Sequence, residues 1–153
     1  MERIIPTSMT GTVNQTYAQG LQTYVNYITS KGAYAIVDPH NFARYYGKVI
    51  DDYDGFQAFV RLLYFFFSWQ RNCGKESNFL KWKTVAGLYA TNSKVIFDCN
   101  NEPHDMGSAS VPKLMQACID GVRAAGATSQ YIFVEGTVRD PPATSPPIAL
   151  TYV

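Results

Sequence analysis

Apolar side chains recur every three or four positions through "TYAQGLQTYVNYITSKG", at Tyr17, Leu21, Tyr24, Val25 and Ile28. That is the period of one helix face. Asn14 or Thr16 is available to cap this helix, and Gly32 stands where a left-handed terminating residue belongs. The run "AYAIVDPH" that follows is too brief for another helix and reads as a strand. A second helical region starts near Asp54 and ends in "VAGLYATN", and "KVIFD" is the next strand. Ser110 is placed to cap "VPKLMQACIDGVRAAG", with Pro112 in the first turn and Leu114, Met115, Cys118, Ile119 and Val122 on one face. Gly126 stops that helix, and "YIFVEG" is the third strand.

Each strand is continuously apolar rather than alternating, the pattern of strands covered by helices. Helices alternating with such strands predict an α/β fold with parallel strands and right-handed crossovers. Polar residues gather just past the strand ends: Asp38, His40 and Asn41 after the first, Asn100, Asn101 and Glu102 after the second, Glu135 after the third. Sites in parallel α/β proteins are built on that edge. Asp and Asn also serve there as plain loop and cap residues, and for Asp38 and Asp98 that use competes evenly.

Composition narrows the function. The 153 residues suit one ordinary domain, and 13 basic against 12 acidic residues form no basic stripe, so nucleic acid is not an expected partner. No apolar stretch is long enough for a membrane span or a signal peptide. Eleven Tyr and nine Phe offer faces for stacking on sugars, although core filling is the commoner use. Cys73, Cys99 and Cys118 are too far apart for a zinc knuckle or a redox pair and read as free buried thiols. Neither a metal nor a cofactor is called for, and no protein partner is implied. Asn14-Gln15-Thr16 is a glycosylation triplet, one that arises easily by chance.

Four stretches, "MERIIPTSMTG", "KGAYAIVDPHNFARYYG", "WKTVAGLYATNSKVIFDCNNEPHDM" and "IDGVRAAGATSQYIFVEG", resemble the fungal endo-β-1,4-glucanases of glycoside hydrolase family 5. The resemblance implies a partial (β/α)8 TIM barrel of about three βα units, barrel strands three to five. It implies a retaining cellulase that acts on β-1,4-glucan outside the cell. Such chemistry needs a carboxylic acid to protonate the leaving oxygen and a carboxylate nucleophile about 5 Å away. By the resemblance Glu102 is the general acid/base, Asn101 contacts the sugar 2-hydroxyl and His40 contacts the sugar in the cleaved subsite. His104 takes an orienting or loop role. Tyr45 and Tyr46 offer sugar-stacking faces, with packing as the competing use. Mannanases and β-1,3-glucanases share the Asn-Glu pair; the long agreement through "DPHNFARYYG" favours a cellulase.

Departures from the family pattern lead to further expectations. The family's nucleophile is a second glutamate on the seventh barrel strand, and these residues reach only the fifth, so the chain alone is expected to be inactive. Glu135 is read as a hydrogen-bonded structural carboxylate. Residues 1–136 form the partial catalytic domain, interrupted by the 22 residues Val60–Lys81, and 137–153 form an irregular Pro-rich tail. The interruption and the stretch from Val138 both begin Val-Arg, which the intron-donor sequence GTACGT can encode, so both read as translated introns. A non-catalytic sugar-binding remnant and a non-functional truncated product are the competing readings.

Overall fold

The computed structural model describes residues 2–8, 11–50, 81–107 and 109–136. The helix expected from Asp54, the interruption up to residue 80, Cys73 and the 137–153 tail lie outside the described residues.

Helix α1 spans Gln15–Ser30, and Asn14 is its cap: the side-chain oxygen accepts from the Tyr17 amide at 3.1 Å. Gly32, at φ +91°, ends it as expected. The buried stripe is not the one predicted. Ala18, Val25 and Thr29 are buried with Leu21 packed beside them, whereas Tyr17, Ile28 and above all Tyr24 (72% exposed) face out. Small residues let the helix lie close to the sheet, and tyrosine hydroxyls stay in water.

Three strands form a parallel sheet in the order β1-β4-β5: β1 is Ala35–Val37, β4 is Val95–Asp98 and β5 is Ile132–Phe133. Ala35 lies opposite Val95, Val37 opposite Phe97, and Phe97 opposite Ile132. Between β1 and β4 in sequence sits an antiparallel hairpin, β2 (Arg44–Tyr45) and β3 (Lys48–Val49). Its two-residue turn is Tyr46-Gly47, both at positive φ (+50° and +76°), as a tight hairpin between right-twisted strands requires.

Helical residues 81–87 (α2) and the helix Ser110–Ala124 (α3) cover one side of the sheet. Trp82 meets Phe97 edge-on at 6.2 Å, and Val85, Ala86, Tyr89, Val95, Val111, Leu114, Met115, Cys118 and Val122 complete the core. Lys81, placed by its sequence at the end of the interruption, is itself buried beside Trp82. Among the described residues the strands are covered on one side. Val95 and Phe97 are buried while Ile96 and Asp98 are half-exposed, and Ile36 is 56% exposed.

Two further expectations are corrected. Ser110 is the first residue of α3 rather than its cap; Ala109 holds the cap position, with no side-chain cap bond. Cys99 and Cys118 are not free thiols. They form a disulfide, with Cα atoms 5.7 Å apart, because α3 packs its inner face against the residue that follows β4. No described helix is long and apolar enough to cross a membrane.

Candidate active site

The C-terminal edge of the parallel sheet collects the polar residues that follow β1, β4 and β5. After β1, Pro39 bends the chain so that Asp38 grips His40 twice. One carboxylate oxygen accepts from the His40 amide at 2.9 Å and the other from ring Nδ1 at 2.8 Å. A carboxylate only accepts, so Nδ1 carries the proton and Nε2 is left facing solvent. His40 pays for this turn with φ +44°, outside the region most side chains prefer.

After β4, Asn100 is fully buried and joins two segments. Its oxygen accepts from the Ala43 amide, and its nitrogen donates to Asn41 Oδ1 at 2.9 Å. Asn41 in turn donates to the Arg44 carbonyl. The hairpin is thereby fastened to the strand end that carries Asn101 and Glu102.

Glu102 is exposed, at φ +43°, and its main-chain N–H donates to Glu135 Oε2 at 2.6 Å. A short bond to a charged acceptor is the strong kind. It holds the Glu102 backbone from β5 while leaving the Glu102 carboxyl to the solvent side. Glu135 is thus hydrogen-bonded, as expected of it, and its partner is the candidate acid's own backbone.

Arg44 links the remaining pieces. One guanidinium nitrogen donates to the Phe42 carbonyl at 2.9 Å and lies 3.5 Å from His104 Nε2; the other lies 3.5 Å from Asp105. His104 Nδ1 donates to Asp105 at 2.7 Å, so His104 is a positioned loop residue, in keeping with the role expected of it. The Phe42 ring stands between the two imidazoles, 6.0 Å from His40 and 5.3 Å from His104.

Beneath these groups Asp98 is pushed up to about 6, first by burial and then by the charges of Asp38 and Glu135. A buried carboxyl beside other acids holds its proton more tightly, a common property of sites that handle protons. Tyr45 and Tyr46 lie on the hairpin with rings 4.9 Å apart, edge to face. Their hydroxyls donate to the carbonyls of Ile5 and Pro6, and the Tyr46 ring is 61% exposed whereas Tyr45 is half-buried.

His40, Asn101 and Glu102 therefore share one edge, with the two tyrosines on the adjoining hairpin. Sequence reading did not single out Arg44, Phe42 or Asp105, and Asn100 was seen only as one of several strand-end polar groups. Nothing in "NFARYYG" marks its arginine as a cross-link. Among the described residues no group of three His, Cys, Asp or Glu side chains is placed to hold a metal ion.

Comparison with known proteins gives a consistent answer. Residues 1–145 match the cellulase family, glycosyl hydrolase family 5. The probable endo-β-1,4-glucanase B of Neosartorya fischeri is 47% identical over 136 residues, which cover 89% of this chain and 35% of that protein. The endoglucanase gh5-1 of Neurospora crassa is 46% identical over 136 residues, 89% of this chain and 29% of its own length. Among solved structures, Cel5A (EG2) from Hypocrea jecorina superposes with a TM-score of 0.72 at 28% identity, covering 90% of this chain and 36% of that one. The endo-β-1,4-glucanase Xac0029 of Xanthomonas axonopodis pv. citri gives 0.71 at 26% identity, with 90% and 37% covered. The chain spans about a third of the length of these relatives, and its three-stranded parallel sheet is an arc of a (β/α)8 barrel.

Proposed function

The chain belongs to glycosyl hydrolase family 5, the cellulases, and on that footing we propose that it carries the acid/base side of a retaining endo-β-1,4-glucanase site. The observation that carries this is the placement of Glu102: at the C-terminal edge of β4, carboxyl outward, backbone clamped by Glu135. In this reading Glu102 protonates the leaving glycosidic oxygen and later deprotonates the incoming water. Asn101 bonds the sugar 2-hydroxyl, an interaction that tightens as positive charge develops on the ring. His40, turned by Asp38, offers Nε2 to the sugar in the cleaved subsite. The exposed Tyr46 ring is the stacking face, and the half-buried Tyr45 supports it from the edge.

A retaining mechanism also needs a nucleophilic carboxylate about 5 Å from the acid. The other carboxylates gathered at the strand ends of the described residues are engaged: Asp38 with His40, Asp98 with the Asn100 amide, Glu135 with the Glu102 amide. We therefore read the described residues by themselves as binding glucan without cleaving it. In this proposal the interruption 60–81, except for its last residue Lys81, which is buried beside Trp82, and the segment 137–153 stand apart from the catalytic framework. The disulfide and the relatives together favour an extracellular setting.

Titrating cellotetraose into isotopically labelled chain tests the binding edge. Resonance shifts are expected at His40, Asn101, Glu102 and Tyr46, and reduced in Asn101→Ala; shifts elsewhere only would overturn the assignment. Release of reducing sugar from soluble cellulose is expected to be no faster than in Glu102→Gln. A rate that depends on Glu102 would show that a second carboxylate within this chain completes the site.

A further inference from the structure

Asn14-Gln15-Thr16 is used by α1 only in part. All three residues are exposed. Asn14 caps the helix through Oδ1 alone, its main-chain N–H donates to the Ile4 carbonyl at 2.8 Å, and Nδ2 makes no hydrogen bond among the described residues. N-glycosylation replaces one hydrogen on Nδ2 and leaves Oδ1 in place, so a glycan there and the helix cap are compatible.

A second observation concerns the compartment. The Cys99–Cys118 disulfide places the folded chain in an oxidising environment. In a eukaryotic cell, that is also where oligosaccharide is transferred to Asn-x-Ser/Thr. The position matters too. Ile4 accepts from Asn14, and the neighbouring carbonyls of Ile5 and Pro6 accept from the hydroxyls of Tyr45 and Tyr46. Asn14 is thus tied through one short segment to the hairpin that borders the candidate sugar site.

We propose that Asn14 is an N-glycosylation site whose glycan stands beside the rim of the candidate glucan-binding edge. In the transfer, Nδ2 forms a bond to the anomeric carbon of an oligosaccharide carried on a lipid pyrophosphate. The anomeric C–O bond breaks, the lipid pyrophosphate leaves with the electron pair, and the amide proton passes to a base. The inference rests on the proposed extracellular route, and the test separates the two.

Protein isolated from eukaryotic cells is alkylated without reduction and cut with trypsin, which releases residues 4–31. It is then treated with peptide-N-glycosidase in heavy-oxygen water. The expected result is peptide 4–31 carrying heavy-oxygen aspartate at position 14, together with a linked Cys99–Cys118 peptide pair. A linked pair with Asn14 wholly unmodified overturns the glycan and leaves the route standing. Alkylated Cys99 and Cys118 overturn both. Thr16→Ala removes the acceptor triplet and keeps the Asn14 cap, so it is expected to lose the glycan with no shift in the thermal midpoint of the unglycosylated chain. A mass shift that persists in this variant also overturns the assignment.

Discussion

The two edges of the parallel sheet are made from similar residues and handle them in opposite ways. At the N-terminal edge the chain turns on glycine: Gly32 and Gly126 take the left-handed conformations, at φ +91° and +87°. Polar side chains there close off main-chain groups. Gln130, only 2% exposed, donates from one nitrogen to the carbonyls of Ala90 and Asn92, with Tyr89 at 3.4 Å. Arg123 donates to the carbonyls of Ala127 and Gln130, and Asn92 donates to Thr29 Oγ1. At the C-terminal edge, all six non-glycine residues with positive φ among the described residues occur together: His40, Phe42, Ala43, Tyr46, Glu102 and Asp105. Side chains there bond to other side chains, and burial together with the charges of Asp38 and Glu135 raises the proton affinity of Asp98. One edge minimises strain and the other concentrates it, which is the division between stability and chemistry found across parallel barrels.

The largest effect expected from breaking this contrast is at the quiet edge. Gln130→Leu takes from the Ala90 carbonyl its side-chain donor and leaves those of Tyr89 and Asn92 with only their main-chain donors, Asn92 and Val95, and should lower stability by about 2 kcal/mol in urea melts. The sugar-induced shifts at Asn101 and Glu102 should be unchanged. A loss well under 1 kcal/mol would mean that the N-terminal edge does not depend on its polar closure.

Asp98→Asn is expected to act at the other edge with the opposite sign. The folded carboxyl keeps its proton to about pH 6, against 3.8 as the ordinary value. Between those values the folded state binds more protons than the unfolded state, so its stability falls as pH rises, and above pH 6 the full cost stands. Asparagine removes that cost while retaining an oxygen for the Asn100 amide. The variant should gain about 1 kcal/mol at pH 7, since water still screens a half-exposed group. The gain should vanish near pH 4, and one that persists there would show that the cause is not ionisation.

The smallest effect sharpens the comparison most. Glu102→Gly relieves a left-handed side-chain-bearing residue at the price of more unfolded-state freedom. It should therefore raise stability by about 0.5 kcal/mol while removing the sugar-induced shift at this position. Equal or lower stability in urea melts would show that Glu102 is not strained.

What could be read from the sequence follows the same division. The buried face of α3 was plain because Leu114, Met115, Cys118 and Val122 repeat at helical spacing, and β4 with its Asn-Glu ending was plain because an apolar run meets a polar cluster. The stripe on α1 was misread, since tyrosines share the helical period with Ala18 and Val25 but keep their hydroxyls wet. The hairpin was invisible because its turn needs Tyr46 at positive φ, which tyrosine does not advertise. The Cys99–Cys118 pairing, 19 residues apart, and the carbonyls closed by Gln130 depend on how helix and strand meet, and no local pattern records that.

The disulfide has a further consequence for how this molecule breathes. Cys99 donates its amide to the Phe133 carbonyl and is bonded to the middle of α3, three residues before Glu102. A strand end ordinarily frays by itself, at little cost in free energy. Here, fraying has to take α3 with it, so the amides of Cys99 and Asn100 should exchange with solvent hydrogen at the pace of α3. Reduction should return them to the faster pace of a loop.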